Sequence, residues 1–140
     1  MKRSEVSARV RGVVEGLASR LNPDPAAEQP FGERSVTDEI TDLMSASGLS
    51  AEDACDAFAL ELASGFNDHR YSFELCDEIV NSLYNWILVN EGARDMPTTF
   101  WRVFDAFDAG EFHHPGDASD VDPVERYTRP TIRDVLGTHD

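Results

Sequence analysis

No apolar run in this chain is long enough to cross a bilayer. The longest nearly unbroken one, Leu83 to Val89, falls far short of the roughly 20 residues a spanning helix needs. Behind Lys2 and Arg3 the N-terminal stretch is interrupted by Ser4, Glu5, Ser7 and Arg9, so no secretory signal is expected. A cytoplasmic protein is the expectation. Cysteine is scarce as well: Cys55 and Cys76 belong to no Cys-x-x-Cys or Cys/His cluster, and each has apolar neighbours. Buried, reduced thiols are expected of them. Also missing are Gly-x-Ser-x-Gly, a phosphate-cradling glycine loop and His-Glu-x-x-His, so no local signature of a nucleophile or a zinc protease is present.

The largest shortage is of positive charge. Against 27 acidic residues stand 12 basic ones, of which Lys2 is the only lysine, for a net charge of −15. The imbalance is uneven along the chain. Residues 21–140 hold 25 acidic and 7 basic side chains, whereas residues 1–20 hold 5 basic and 2 acidic. Such a body repels nucleic-acid phosphates and anionic membranes and favours a basic protein partner.

What is present suffices for a core. At 140 residues, 41% hydrophobic and 28% charged, the composition is that of a folded chain. Periodicity predicts an all-α fold: a compact bundle of about five helices over residues 1–110, with an irregular C-terminal extension, 111–140, packed on or flanking it. Val6, Val10, Val13, Val14, Leu17 and Leu21 form one stripe of a first helix, stopped by Asn22-Pro23-Asp24-Pro25. Ser35 with Asp38 reads as the start of a second helix, carrying Val36, Ile40, Leu43 and Met44, which Gly48 closes. Ser50 with Asp53 repeats that signal for a third, running to about Ser64, with Gly65 at its end. Phe73, Cys76, Val80, Leu83 and Ile87 make the strongest helical seam. Its second half is apolar nearly all round, as expected of a helix central in the bundle or shared with a second copy. Asp95 and Pro97 open a fifth helix bearing Phe100, Val103, Phe104 and Phe107, and Gly110 ends it. Over 111–130 apolar residues are sparse, and a loop is expected there. Ile132, Val135 and Leu136 suggest one last turn.

Two sets of residues could carry chemistry. The first is acidic. Asp38, Asp42, Asp53, Asp56 and Glu61 lie on helices 2 and 3, with no Lys or Arg between Ser35 and Phe66. Asp38 and Asp42, like Glu52 and Asp56, are i, i+4 pairs, which cost a helix a few tenths of a kcal/mol. Local stability does not explain them; steering a basic partner does, and so does simple solubility. The second set is metal-ligating in type: His69, Glu111, His113 and His114. Glu111 and His114 have the i, i+3 spacing of di-iron bundles, but Pro115 follows at once and no second Glu-x-x-His exists. Asp68 beside His69 could orient an imidazole for general-base work, but Asp68 or Ser72 as the cap of the fourth helix accounts for the same residues without further cause. His139 sits at the C-terminus.

The basic first helix, with Lys2, Arg3, Arg9, Arg11 and Arg20, suits contact with an anion or with the acidic body of a second copy. It lacks a DNA-binding turn, and nucleic acid is not expected. In size, charge and expected helicity the chain resembles bacterial toxin-neutralising immunity proteins, a resemblance of composition and architecture without a shared motif. The expected function is that of an acidic helical protein binding a basic protein surface, of inhibitor, immunity or adaptor type. The second reading is a divalent-metal-dependent bundle enzyme using His69, Glu111, His113 and His114. A homodimer through helix 73–89 is compatible with either.

Overall fold

The computed structural model describes residues 3–21, 36–90 and 96–137. Among them are six helices, α1 (Arg3–Leu21), α2 (Val36–Ser47), α3 (Ala51–Asn67), α4 (Phe73–Asn90), α5 (Thr98–Ala109) and α6 (Arg129–Gly137), and no strand. The protein is all-α. The expected stops at 22–25 and the Ser35 and Asp95 start signals lie outside the described residues.

The centre of the bundle is α3, which touches each of the other helices. Its composition explains this. Ala54, Ala59 and Ala63 let neighbouring backbones approach closely, and Cys55, Phe58, Leu62 and Phe66 fill the spaces between them. The sequence pattern offers the central place to α4, but α4 is buried on one face only: Cys76, Ile79, Val80, Leu83 and Ile87 point inward, while Leu88 and Val89 are exposed. Phe107 of α5 is packed edge-on by Phe66 at 5.3 Å and obliquely by Phe73 at 5.9 Å. Both cysteines are buried and reduced, and burial raises the Cys76 thiol's pKa.

Helix ends follow the local chemistry. Ser50 Oγ accepts from the Asp53 N–H at 3.1 Å, and Ser72 Oγ from the Leu75 N–H at 3.1 Å. Ser72, not Asp68, is therefore the side-chain cap of α4. Gly48, at φ 73°, closes α2 through its N–H to Met44 O. No side-chain cap comes from Pro97 at the start of α5. A residue of another helix supplies it: the Phe100 N–H donates to Asp56 Oδ1 at 2.7 Å.

Two expectations are corrected. The third helix does not end at Ser64 but continues through Gly65 to Asn67. Residues 111–130 are not irregular throughout, because a widened helical turn over Val124–Thr128 leads straight into α6. Pro130 explains the widening. It has no N–H, and its ring would collide with the carbonyl four residues back in a regular helix. The Arg129 N–H reaches five residues back, to Val124 O, and the turn expands around the proline. Ile132 and Val135 of α6 are fully buried in the same core as α3 and α5. Gly110 makes this docking close, since a Cβ there would overlap Thr128 Oγ1 and crowd Phe73.

Candidate functional site

Two groups of carboxylates stand out, one enclosed and one open. The enclosed one is built by the turn after α3. His69, at φ 63°, takes the left-handed position that ends α3. Its N–H bonds to Phe66 O at 3.2 Å, and the Arg70 N–H bonds to Gly65 O at 2.7 Å, the paired pattern of a Schellman ending. The reversal throws Tyr71 back along α3. Its ring lies directly on Gly65, where any Cβ would overlap it. One turn earlier, Glu61 receives the Tyr71 hydroxyl at 2.8 Å, Arg70 Nη1 at 3.0 Å and Arg11 Nε from α1 at 3.2 Å, all on Oε1.

Glu61 is only 8% exposed, so it faces the interior of the protein and not a partner. A buried carboxylate with three donors is stable where an unpaired one would be costly. The arrangement holds Tyr71 as the phenol: burial first, then the bond to Glu61, raises its pKa. Arg70's own bond to Glu61 raises the pKa of Arg70.

The other four residues of the acidic set divide. Asp56 is partly buried at the start of α5, while Asp38, Asp42 and Asp53 are exposed on α2 and α3. The potential metal ligands are dispersed. His69 forms the turn just described. His114 is sandwiched between Phe112 at 4.4 Å and Tyr127 at 4.0 Å, its Nε2 bonded to Ala109 O at 2.8 Å. His113 Nε2 meets Ala118 O at 2.7 Å. Glu111 points elsewhere, to Asn81 of α4. Among the described residues, no three His, Cys, Asp or Glu side chains are grouped to hold a metal ion. A shallow groove beside His69 is lined by Ser72, Glu74, Asp122, Glu125 and Arg129. Its one arginine is committed to Glu125 at 2.8 Å and lies over the Phe66 ring at 4.4 Å.

The open carboxylate group lies between α4 and the end of α5. Asp77 is hydrogen-bonded to Glu111, with Asp108 alongside. Asn81 Nδ2 reaches both Asp77 Oδ1 and Glu111 Oε1 at 3.3 Å. None of the three carboxylates has a cationic partner among the described residues. Partial burial, then Glu111, then Asp108 push the Asp77 carboxyl up to about 7. Burial first, then Glu111, raises Asp108 as well. Like charges this close cannot all ionise without cost.

Sequence reasoning missed this group because its members come from two segments, Asp77 lying 31 and 34 positions before Asp108 and Glu111, each unremarkable alone. The role of Arg11, 50 positions from Glu61, was missed for the same reason; the Gly65–Tyr71 contact was missed because it depends on the chain reversal after α3. Comparison with family models, with curated proteins and with solved structures returns no match.

Proposed function

We propose that this is an acidic helical binding protein, of inhibitor, immunity or adaptor type, that docks on a basic surface of another protein. The observation that supports it most is that four of the described arginines are paired within the fold. Arg11 and Arg70 serve Glu61, Arg102 serves Asp134, and Arg129 serves Glu125. Meanwhile Asp38, Asp42 and Asp53 remain exposed, and Asp77, Asp108 and Glu111 face one another. The surface thus keeps a negative field that steers basic partners and is weakened by salt. The metal-enzyme alternative has no comparable support, since its four residues are not brought together.

The test is capture of partners from lysate by the wild type and by a triple Asp38→Asn, Asp42→Asn, Asp53→Asn variant, at low and high salt. A basic protein held at low salt, released at high salt and lost by the variant supports docking through α2 and α3. Retention of no basic protein by either form refutes the binding reading. Metal analysis and sedimentation of the same preparation test the enzyme and homodimer readings.

A further inference from the structure

α4 and α5 run antiparallel, and their side-chain contacts show it. Tyr84 stacks on Phe104 at 4.7 Å, whereas Asn81, nearer the start of α4, meets Glu111 beyond the end of α5. Trp101 lies 5.5 Å from Phe104 and is 44% exposed; Leu88, one turn past Tyr84 on α4, is 37% exposed. The two helices therefore present one continuous strip. Its apolar end is Leu88, Trp101, Phe104 and Tyr84, and its acidic end is Asp77, Asp108 and Glu111. From Leu88 to Asp77 the strip is about 16 Å long, at 1.5 Å per residue.

We propose that this strip is the docking site for a basic amphipathic helix of a partner protein, which seats an apolar residue on Trp101–Phe104–Tyr84 and a Lys or Arg on Asp77–Asp108–Glu111. The inference rests on the binding function proposed above and names a face for it other than α2–α3. Charge decides the occupant. A second copy would bring its own carboxylates against these, and an anionic lipid surface would be repelled. A basic residue supplies what the carboxylate group lacks. Spacing narrows the choice. Tyr84 and Asp77 are seven residues apart, about 10 Å, or two turns of an opposing helix. An apolar residue and a cation about seven positions apart reach both ends at once, as in other helix-in-groove complexes.

A proton accompanies the contact. The groups facing Asp77 are Asn81 from α4 and Asp108 and Glu111 from α5 and its end, with Asp105 acting on Asp108. All are neutral or acidic. A bound cation favours ionised Asp77, so affinity rises as pH climbs through about 7, and binding releases a proton in that window.

The probe is a labelled synthetic helix carrying Leu and Arg seven positions apart, with a scrambled peptide of identical composition as control, titrated by anisotropy against the whole protein. The expected result is binding at least about 10-fold tighter than the scrambled control, weakened about 10-fold or more by Trp101→Ala and by the Asp77→Asn/Glu111→Gln double variant. Trp101 is exposed and the double variant replaces isosteric groups, so circular dichroism should show both folded. The Asp38→Asn/Asp42→Asn/Asp53→Asn variant should bind the peptide like the wild type.

Equal binding of the scrambled peptide, or indifference to Trp101→Ala, overturns the strip. Loss only in the α2–α3 variant overturns it too, while leaving the binding function standing. Failure to bind any basic peptide, together with no basic protein captured from lysate, removes both. A concentration-dependent dimer abolished by Trp101→Ala would assign the strip to a second copy and overturn the proposal.

Discussion

Glu61 on α3 and Asp77 on α4 are both carboxylates of one acidic bundle, yet their surroundings are opposite. Glu61 receives two arginines and a tyrosine; Asp77 receives Glu111, Asp108 and an asparagine. The difference originates in the connecting segments. The reversal after α3 delivers Arg70-Tyr71 onto Glu61, and α1 adds Arg11 from across the bundle. The end of α5 and the residue beyond it bring Asp108 and Glu111, but no cation, to Asp77. At the first place charge is neutralised in holding three elements together. At the second it is kept, at some cost to the fold, where an outside cation can reach it. The deficit of basic residues is thus not met evenly: four of the described arginines pair within the fold, whereas Asp77 and its acidic neighbours have no cation among the described residues.

Gly65 offers the most drastic way to break the enclosed group. A glycine inside an exposed helix is ordinarily improved by alanine, by up to about 1 kcal/mol. Here the Cβ would overlap the Tyr71 ring. Gly65→Ala should therefore destabilise by about 2–3 kcal/mol, as overpacked sites do. In a Tyr71→Ala background the same change should become neutral or stabilising. Urea denaturation of the four proteins checks the reversal of sign; equal losses in both backgrounds would mean that Tyr71 is not what glycine makes room for. Glu61→Gln comes next, at about 1–2 kcal/mol. It leaves Arg70 and Tyr71 a neutral acceptor, and its effect should appear in the same denaturation series.

The fold was legible from the sequence where the signal is periodic. The stripe of α1 from Val6 to Leu17, the seam of α4 and the aromatic face of α5 are core in the structure, with Val13, Phe73 and Phe104 only partly covered. Legibility failed where a residue's role depends on something distant. Gly65 reads as a helix stop because glycine commonly is one; its actual partner, Tyr71, follows a reversal that spacing does not reveal. Thr128 is fully buried by donating to Ala106 O at 2.7 Å, so a polar-looking stretch became helix without an apolar stripe. Glu61 looks like the other surface acids in sequence, and only the convergence of Arg11, Arg70 and Tyr71 distinguishes it. The acidic group on α4–α5 is invisible for a simpler reason: 27 acidic residues make any three of them unremarkable until a structure places them side by side.

The open group can be sharpened by pH. The Asp77 carboxyl, pushed up to about 7, lies above its ordinary value, so between the ordinary carboxylate range and about 7 the folded state holds a proton that the unfolded state has lost. Stability contributed by this group is therefore present at low pH and lost as pH rises through that window. Asp77→Asn imitates the protonated form permanently. Melting temperature should be nearly unchanged by the substitution at about pH 3, below the ordinary carboxylate range, and raised by it increasingly as pH climbs to about 8. A melting temperature lowered at the higher pH would show that ionised Asp77 has a cationic partner, and the contrast with Glu61 would collapse.

The smallest effect tests whether the enclosed group is one unit or a hub with spokes. Arg11 and Arg70 bond the same oxygen of Glu61, but the Arg11 side chain is 53% exposed and the Arg70 side chain 29%. Arg70 also reaches Tyr71 Oη at 3.3 Å. Water can replace much of what Arg11 does, so Arg11→Ala should cost less than about 1 kcal/mol, as exposed ion pairs do, and less than Arg70→Ala. The Arg11→Ala/Glu61→Gln double variant should then lose little more than Glu61→Gln alone, since the guanidinium acts through that carboxylate. A loss from Arg11→Ala equal to that from Arg70→Ala would mean that α1 is held by the ion pair as firmly as the α3 reversal is. The burial of Val6, Val10 and Val14 argues otherwise: α1 is fixed by its apolar stripe, and Arg11 sets the charge balance of Glu61 more than it anchors the helix.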